Sequence, residues 1–235
     1  MSRQAKKSLK TAKIVRNNSQ TPRSLPQRTK IGRVTSPTDP TTVLNVVVLV
    51  SGSGTLLQSL LDQQDGSYRI SRVIADVECV ALERAEKAGV DTRIVALGDD
   101  RSAWNVMLAD TISEADPDLI VSAGFMKILG SGVLDRFGGR IINTHPALLP
   151  SFPGAHAVRD ALAAGVKVTG STVHFIDSGV DTGPIIAQRA LEVASEDTES
   201  TLHERIKTIE RQLIVSVLRA ATIDENTRKV EFINE

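Results

Sequence analysis

Residues 46–61 read VVVLVSGSGTLLQSLL: an unbroken apolar run, then two glycines among small hydroxyls, then leucines at helical spacing. Five consecutive Val/Leu residues are too few for a stable helix and too apolar for a strand with one wet face. They fit a strand covered on both sides, the condition of a parallel sheet flanked by helices. The motif then recurs along the chain. SRVIAD (71–76), TRIVAL (92–97) and DLIVSAG (118–124) predict three further strands. Between them, helices are expected over Thr55–Asp62, over 81–89 with Gly89 as the stop, and over Ser102–Glu114 with Ser102 as N-cap. Strands alternating with helices of that length imply βαβ units with right-handed crossovers.

After Gly130 the rhythm changes. RIINTH (140–145) predicts a short strand, followed by a proline-rich loop, PALLPSFPGAH. GSTVHFI (170–176) and IIAQRALEV (185–193) predict two more strands, with an antiparallel edge pair. Thr198–Ala221 predicts a long amphipathic helix whose stripe is Leu202, Ile206, Ile209, Leu213 and Val217. No internal repeat interrupts this plan, so residues 43–235 are expected to form a single α/β domain.

The formal net charge of zero conceals an asymmetry. Residues 1–40 carry ten of the 28 Lys/Arg and one of the 28 acids, leaving 18 bases and 27 acids for residues 41–235. Few large apolar residues occur in that basic stretch, so residues 1–42 are expected to be an extension unable to fold alone. It has no apolar segment of a secretory signal. An organelle transit peptide or weak nucleic-acid attraction are its two alternatives to a plain solvated tail. Aromatic residues make up only 3% of the chain, which argues against a base-stacking platform. One cysteine, Cys79, excludes an internal disulfide framework and a cysteine-rich zinc site. No apolar run approaches the ~20 residues of a membrane helix. A cytoplasmic protein with small-molecule substrates, monomeric or homodimeric, is the expectation.

Strand, Ser-Gly-Ser-Gly-Thr, then helix directs several backbone N–H groups at one point, and the helix dipole there favours negative charge. Gly52 and Gly54 permit close approach of a ligand. A dinucleotide fingerprint needs a third small residue where Leu57 stands, and a phosphate loop of the Walker type needs a lysine that is absent. A compact phosphate cradle or a ligand-free tight turn are what remain.

The second polar feature is INTHPALLPSFPGAH. Asn143 and His145 lie two apart in an extended strand, so both side chains point to one side. Pro146 then ends the strand. Carboxyl ends of parallel strands are where open α/β sheets place ligands. In IDSGVDTGPI, both Asp177 and Asp181 could set the charge of the imidazole, since a nearby carboxylate favours imidazolium. An amide and an imidazolium together suit a carbonyl turning tetrahedral. No nucleophilic Ser or Cys motif is present, so one substrate is expected to attack another directly. A hydrogen-bonded strand end without catalysis is the competing account of Asn143 and His145.

On VLVSGSGTLLQSLLD, PDLIVSAGFMKIL, INTHPALLPSFPGAH and GSTVHFIDSGVDTGPII, the chain from about Val46 to Ala220 resembles the phosphoribosylglycinamide formyltransferases of purine synthesis. HPALLPSFPG with a later VDTGP marks folate-dependent formyltransferases generally. The short length is the ground for preferring this branch over methionyl-tRNA formyltransferases and formyltetrahydrofolate deformylases, which carry a further domain.

The resemblance implies a single Rossmann-like domain and formyl transfer from 10-formyltetrahydrofolate, as co-substrate, to the amine of glycinamide ribonucleotide, with no metal. Another amine, such as that of an amino-sugar nucleotide, and a non-catalytic nucleotide-binding module of the same fold are the alternatives. It also implies roles for particular residues. Asn143, His145 and Asp181 match the catalytic trio. Gly52, Gly54, Thr55 and Leu56 fall at the ribonucleotide phosphate, and Glu210 near its amine end. Arg101, Met126, Lys127, Ile128 and Leu129 fall at the folate side, with Asn143. Leu56 and Ser53 depart from the asparagines of many relatives. His174 matches a family histidine that is either structural or catalytic; His156 is expected in a loop and His203 at the surface.

Overall fold

The computed structural model describes residues 43–224, 227 and 229–232; the expected basic extension over 1–42 lies outside the described residues. Seven strands form the main sheet: β1 (Leu44–Val50), β2 (Tyr68–Ala75), β3 (Asp91–Ile94), β4 (Leu119–Ser122), β5 (Ile141–His145), β6 (Val168–Phe175) and β7 (Ile185–Glu192). Their order is β3-β2-β1-β4-β5-β6-β7. The first five run parallel, and β6 and β7 make the antiparallel edge.

The apolar run that opened the sequence is the centre of this sheet. Val46, Val48 and Val50 enter one core cluster, with α1 (Thr55–Asp62), α2 (Val80–Lys87) and α6 (Glu199–Arg219). Val47 and Leu49 enter the other, with α3 (Arg101–Ser113) and α4 (Ser131–Phe137). Alternate side chains of one strand thus fill two cores, which is why no polar residue interrupts it. The chain winds outward from β1 to β3, then crosses back to β4. Strand order therefore reverses between β1 and β4, and the loops after these strands open a crevice at their carboxyl ends.

Several expectations change in detail. Asp100, not Ser102, caps α3: its carboxylate accepts from the Ser102 and Ala103 N–H groups at 2.9 and 3.0 Å. Helix α4, α5 (Ala157–Ala163) and the hairpin of β8 (Ala221–Ile223) and β9 (Val230–Phe232) were not expected. The two helices have seven residues each, too few for a 3.6-residue period to stand out. Ile209 is only half-buried on α6, whereas Ile214, Val215 and Leu218 are buried beside the expected stripe. Thr198 caps that helix through a reciprocal pair with Thr201.

Candidate active site

Strand β5 ends in Asn143, Thr144 and His145, and its pairing with β6 sets what each can touch. In that antiparallel ladder Asn143 lies opposite His174, and His145 opposite Thr172. Opposed residues project to the same face, so a residue 31 positions away meets Asn143. Asn143 Nδ2 stands 3.3 Å from His174 Nε2. His174 Nδ1–H donates to the Phe175 carbonyl at 2.9 Å, which leaves Nε2 as the acceptor for the Asn143 amide. Burial pushes the His174 pKa below its ordinary value, against the pull of the Phe175 carbonyl and Asp181. A neutral ring orienting the Asn143 amide is the consequence.

His145 is also buried. Its Nε2 lies 2.8 Å from the Phe152 carbonyl and its Nδ1 3.3 Å from Asp181 Oδ2. The Phe152 carbonyl is an acceptor, so Nε2 carries the hydrogen in that bond, and the carboxylate stands at ion-pair distance from Nδ1. Asp181 additionally accepts the Gly154 N–H at 2.7 Å. Its backbone is left-handed, at φ 55°, as is that of Phe152 at φ 55°. Of the two aspartates in IDSGVDTGPI, Asp181 therefore meets the imidazole. Asp177 is exposed and turns inward on its own loop. Its carboxylate accepts the Thr182 hydroxyl at 2.7 Å and the Gly179 N–H at 3.0 Å, which hold its pKa below the usual range.

The proline-rich loop curls back over His145 because β6 staples it. Thr172 Oγ1 donates to the Ala147 carbonyl at 2.7 Å and accepts the Leu149 N–H at 3.1 Å, and the Leu149–Pro150 peptide is cis.

Asn143, His145, His174 and Asp181 border a cavity of about 600 Å³. The glycine loop faces them across it, with Gly52, Gly54, Thr55 and Leu56 all in its lining. Gly54 is left-handed at φ 68° and is the N-cap of α1. Leu56 also packs into the core cluster, so the departure from asparagine replaces an amide with core contact. Among the described residues, none of the N–H groups of 52–56 meets a protein acceptor. That leaves a row of backbone donors without protein partners on the wall of the cavity.

A third wall comes from α6. His203, Lys207, Glu210 and Arg211 line the cavity; only Glu210 was expected there. Their spacing of four, three and one is a helical face, and that polar stripe was the signal in the sequence. Thr144, which projects from the opposite side of β5, donates its hydroxyl to Glu210. Burial raises the Glu210 pKa, and the Thr144 bond opposes that rise. Lys207 is paired with Glu204 at 2.8 Å.

On the remaining side Met126, Ile128 and Leu129 line the cavity with Val180. Met126 and Ile128 are 78% and 62% exposed, an apolar ledge open to solvent. Lys127 is held at 2.9 Å by the buried Asp76, whose other oxygen, Oδ1, has no hydrogen-bond partner. Arg101 donates to the Ile128 carbonyl at 2.8 Å and lies over Trp104, so it braces the ledge from outside and does not line the cavity. His156 is exposed and likewise outside the lining. Among the described residues no cluster of three or more His, Cys, Asp or Glu could hold a metal ion, and no helix is long and apolar enough to cross a membrane.

The site is thus a doubly wound α/β sheet carrying an amide, two imidazoles and a carboxylate at its carboxyl edge, with a glycine loop on the wall of the same cavity. The chain belongs to the formyl transferase family, whose sequence profile matches residues 44–218. It is 54% identical over 185 residues to the phosphoribosylglycinamide formyltransferase of Mycobacterium tuberculosis, covering 77% of this chain and 86% of that protein. With the trifunctional purine biosynthetic protein adenosine-3 of Homo sapiens it shares 40% identity over 180 residues, 74% of this chain and 18% of the relative. Its fold matches the crystal structure of glycinamide ribonucleotide transformylase 1 from Symbiobacterium toebii with a TM-score of 0.75. Identity there is 39%, over 82% of this chain and 95% of the other.

Proposed function

We propose that this chain transfers the formyl group of 10-formyltetrahydrofolate to the amine of glycinamide ribonucleotide, with residues 43–235 as the catalytic domain and the cytoplasm as its location. The observation that carries this reading is the placement of Asn143, His145 and Asp181 across one cavity from the N–H groups of the glycine loop. One end of that cavity suits a phosphate, the other a carbonyl becoming an oxyanion. The relatives of known name act in the same chemistry.

The ribonucleotide phosphate sits on the amides of Gly54, Thr55 and Leu56, with Lys207 exchanging Glu204 for it. That places the amine toward β5. The folate ring system rests on the ledge of Met126, Ile128 and Leu129. The amine nitrogen attacks the formyl carbon, forming the C–N bond while the carbonyl pair moves onto oxygen. Asn143 and His145 hold that oxyanion. His145 takes up this role by turning its Nε2–H from the Phe152 carbonyl toward the oxyanion, while Asp181 keeps the ring charged. Collapse re-forms the carbonyl and breaks the bond to the folate nitrogen, which leaves with the pair and takes the proton the amine loses. Asp181 relays that proton, a role its contacts with His145 and the Gly154 N–H support.

The test is to incubate the full chain with 10-formyltetrahydrofolate and glycinamide ribonucleotide, with an amino-sugar nucleotide as the competing amine. Formylation of the ribonucleotide, and a fall in kcat of about 10²–10³ in His145→Ala with an unchanged circular dichroism spectrum, are expected. A folded protein that formylates only the sugar nucleotide, or neither amine, sinks the assignment.

A further inference from the structure

Helix α2 lies behind the glycine loop, on the side away from the cavity, and makes two bonds to consecutive loop carbonyls. The Ala81 N–H donates to the Gly52 carbonyl at 3.1 Å, and Arg84 Nε donates to the Ser53 carbonyl at 2.8 Å. Arg84 Nη1 donates further to Gln58 Oε1 at 3.0 Å, tying the guanidinium to α1. The loop is seated closely: a Cβ on Gly54 would stand 2.6 Å from Ala81 Cβ and 3.3 Å from Arg84 Cδ.

These bonds fix where the loop donors point. Both peptides are trans, and in a planar trans peptide the N–H points opposite to the carbonyl. Holding the Gly52 and Ser53 carbonyls against α2 therefore turns the Ser53 and Gly54 N–H groups away from it. Ala81 does this through its backbone N–H, which any residue but proline supplies. Arg84 does it through a side chain, which makes that position decisive. Arg84 itself is absent from the lining of the main cavity; it borders a separate cleft of about 360 Å³ with Gln58, Glu83 and Lys87.

The geometry points to Arg84 as a positioning residue of the phosphate grip: from behind the loop it fixes the Ser53–Gly54 peptide and so turns the Gly54 N–H toward the ribonucleotide phosphate without touching the substrate. Its full charge also stands behind the loop amides and adds to the positive potential that the α1 N-terminus presents. This rests on the function proposed above.

The experiment compares the full chain with Arg84→Ala and Arg84→Lys. Steady-state rates are measured with each substrate varied, together with inorganic phosphate as a competitor of the ribonucleotide and, separately, phosphate binding by calorimetry. In Arg84→Ala, KM for the ribonucleotide and the inhibition constant of phosphate both rise about tenfold, the scale of one lost hydrogen bond. The kcat and the KM for 10-formyltetrahydrofolate stay within about twofold. Lysine, which can still reach the Ser53 carbonyl, restores most of the loss. An alanine variant with unchanged phosphate affinity overturns the proposal, as does an equal loss in kcat and both KM values. Should the wild-type chain fail to formylate the ribonucleotide, the proposed function falls. Calorimetry with phosphate still decides the role of Arg84, by weakened or unchanged binding in the alanine variant.

Discussion

Replacing Asp181 with asparagine removes one negative charge 3.3 Å from His145 Nδ1 while keeping an oxygen for the Gly154 N–H. Size and hydrogen-bonding reach are conserved, so the perturbation is almost purely electrostatic. At an effective dielectric constant of about 20, opposite charges at that separation attract by about 5 kcal/mol. That figure is an upper bound, because both groups are largely buried and each costs solvation to charge. A hydrogen bond involving a charged group contributes about 1.5–3 kcal/mol net. If that interaction is made in the transition state, kcat falls about 10- to 150-fold. The same oxygen, Oδ2, meets both the Gly154 N–H and His145 Nδ1, so an asparagine that keeps the first contact puts its N–H₂ at the Oδ1 position, 3.6 Å from His174 Nε2.

The assay is the steady-state rate of formyl transfer with both substrates saturating, paired with thermal melting. Asp181→Asn should melt close to wild type, because the Gly154 N–H keeps its acceptor. Asp181→Ala should lose comparable activity and melt lower, since that N–H is left without its partner at a cost of about 1–3 kcal/mol. An asparagine variant whose kcat stays within twofold of wild type would refute the idea that the carboxylate sustains a charged His145.

Gly54→Ala places a Cβ 2.6 Å from Ala81 Cβ in a backbone at φ 68°. Left-handed backbone and overpacking each cost about 1–3 kcal/mol, so the melting temperature should fall by roughly 5–15 °C, readable by calorimetry; an unchanged melt would mean the loop is not seated on α2. His174 gives a pH dependence. Its pKa is lowered from 6.5 by burial, so below pH 6.5 the unfolded chain takes up a proton that the folded one refuses. Stability is full above that pH and declines as pH falls toward the folded value, by at most about 1.4 kcal/mol per unit. Urea midpoints between pH 5 and 7 should show a shallower decline in His174→Gln, and parallel curves would contradict a buried neutral ring.

Much of the fold was legible because it rests on local rules. The two-faced burial of Val46–Val50, the amphipathic span of α6 and the left-handed stop at Gly89 follow from residues within a few positions of each other. The same is true of the glycine loop and of Asn143 and His145 sharing a face. Where local signals were weak, boundaries slipped: Asp100 outcompeted Ser102 as a cap because its carboxylate reaches two N–H groups at once. Helices of seven residues were lost in loops for want of a second turn of pattern.

The sequence by itself therefore determined a parallel α/β sheet, a glycine-rich turn at the end of its first strand, and an amide beside an imidazole at the end of its fifth. Only the tertiary structure decided their partners. Antiparallel register brought His174 opposite Asn143, and the left-handed turn at Asp181 aimed its carboxylate, rather than that of Asp177, at His145. Packing of α6 put Lys207 and Arg211 into the cavity, while Arg101 was left outside it. The physical reason is range. Periodicity and turn chemistry act over neighbouring residues, whereas charge state and hydrogen-bond direction depend on groups that only the closed chain brings within about 3 Å.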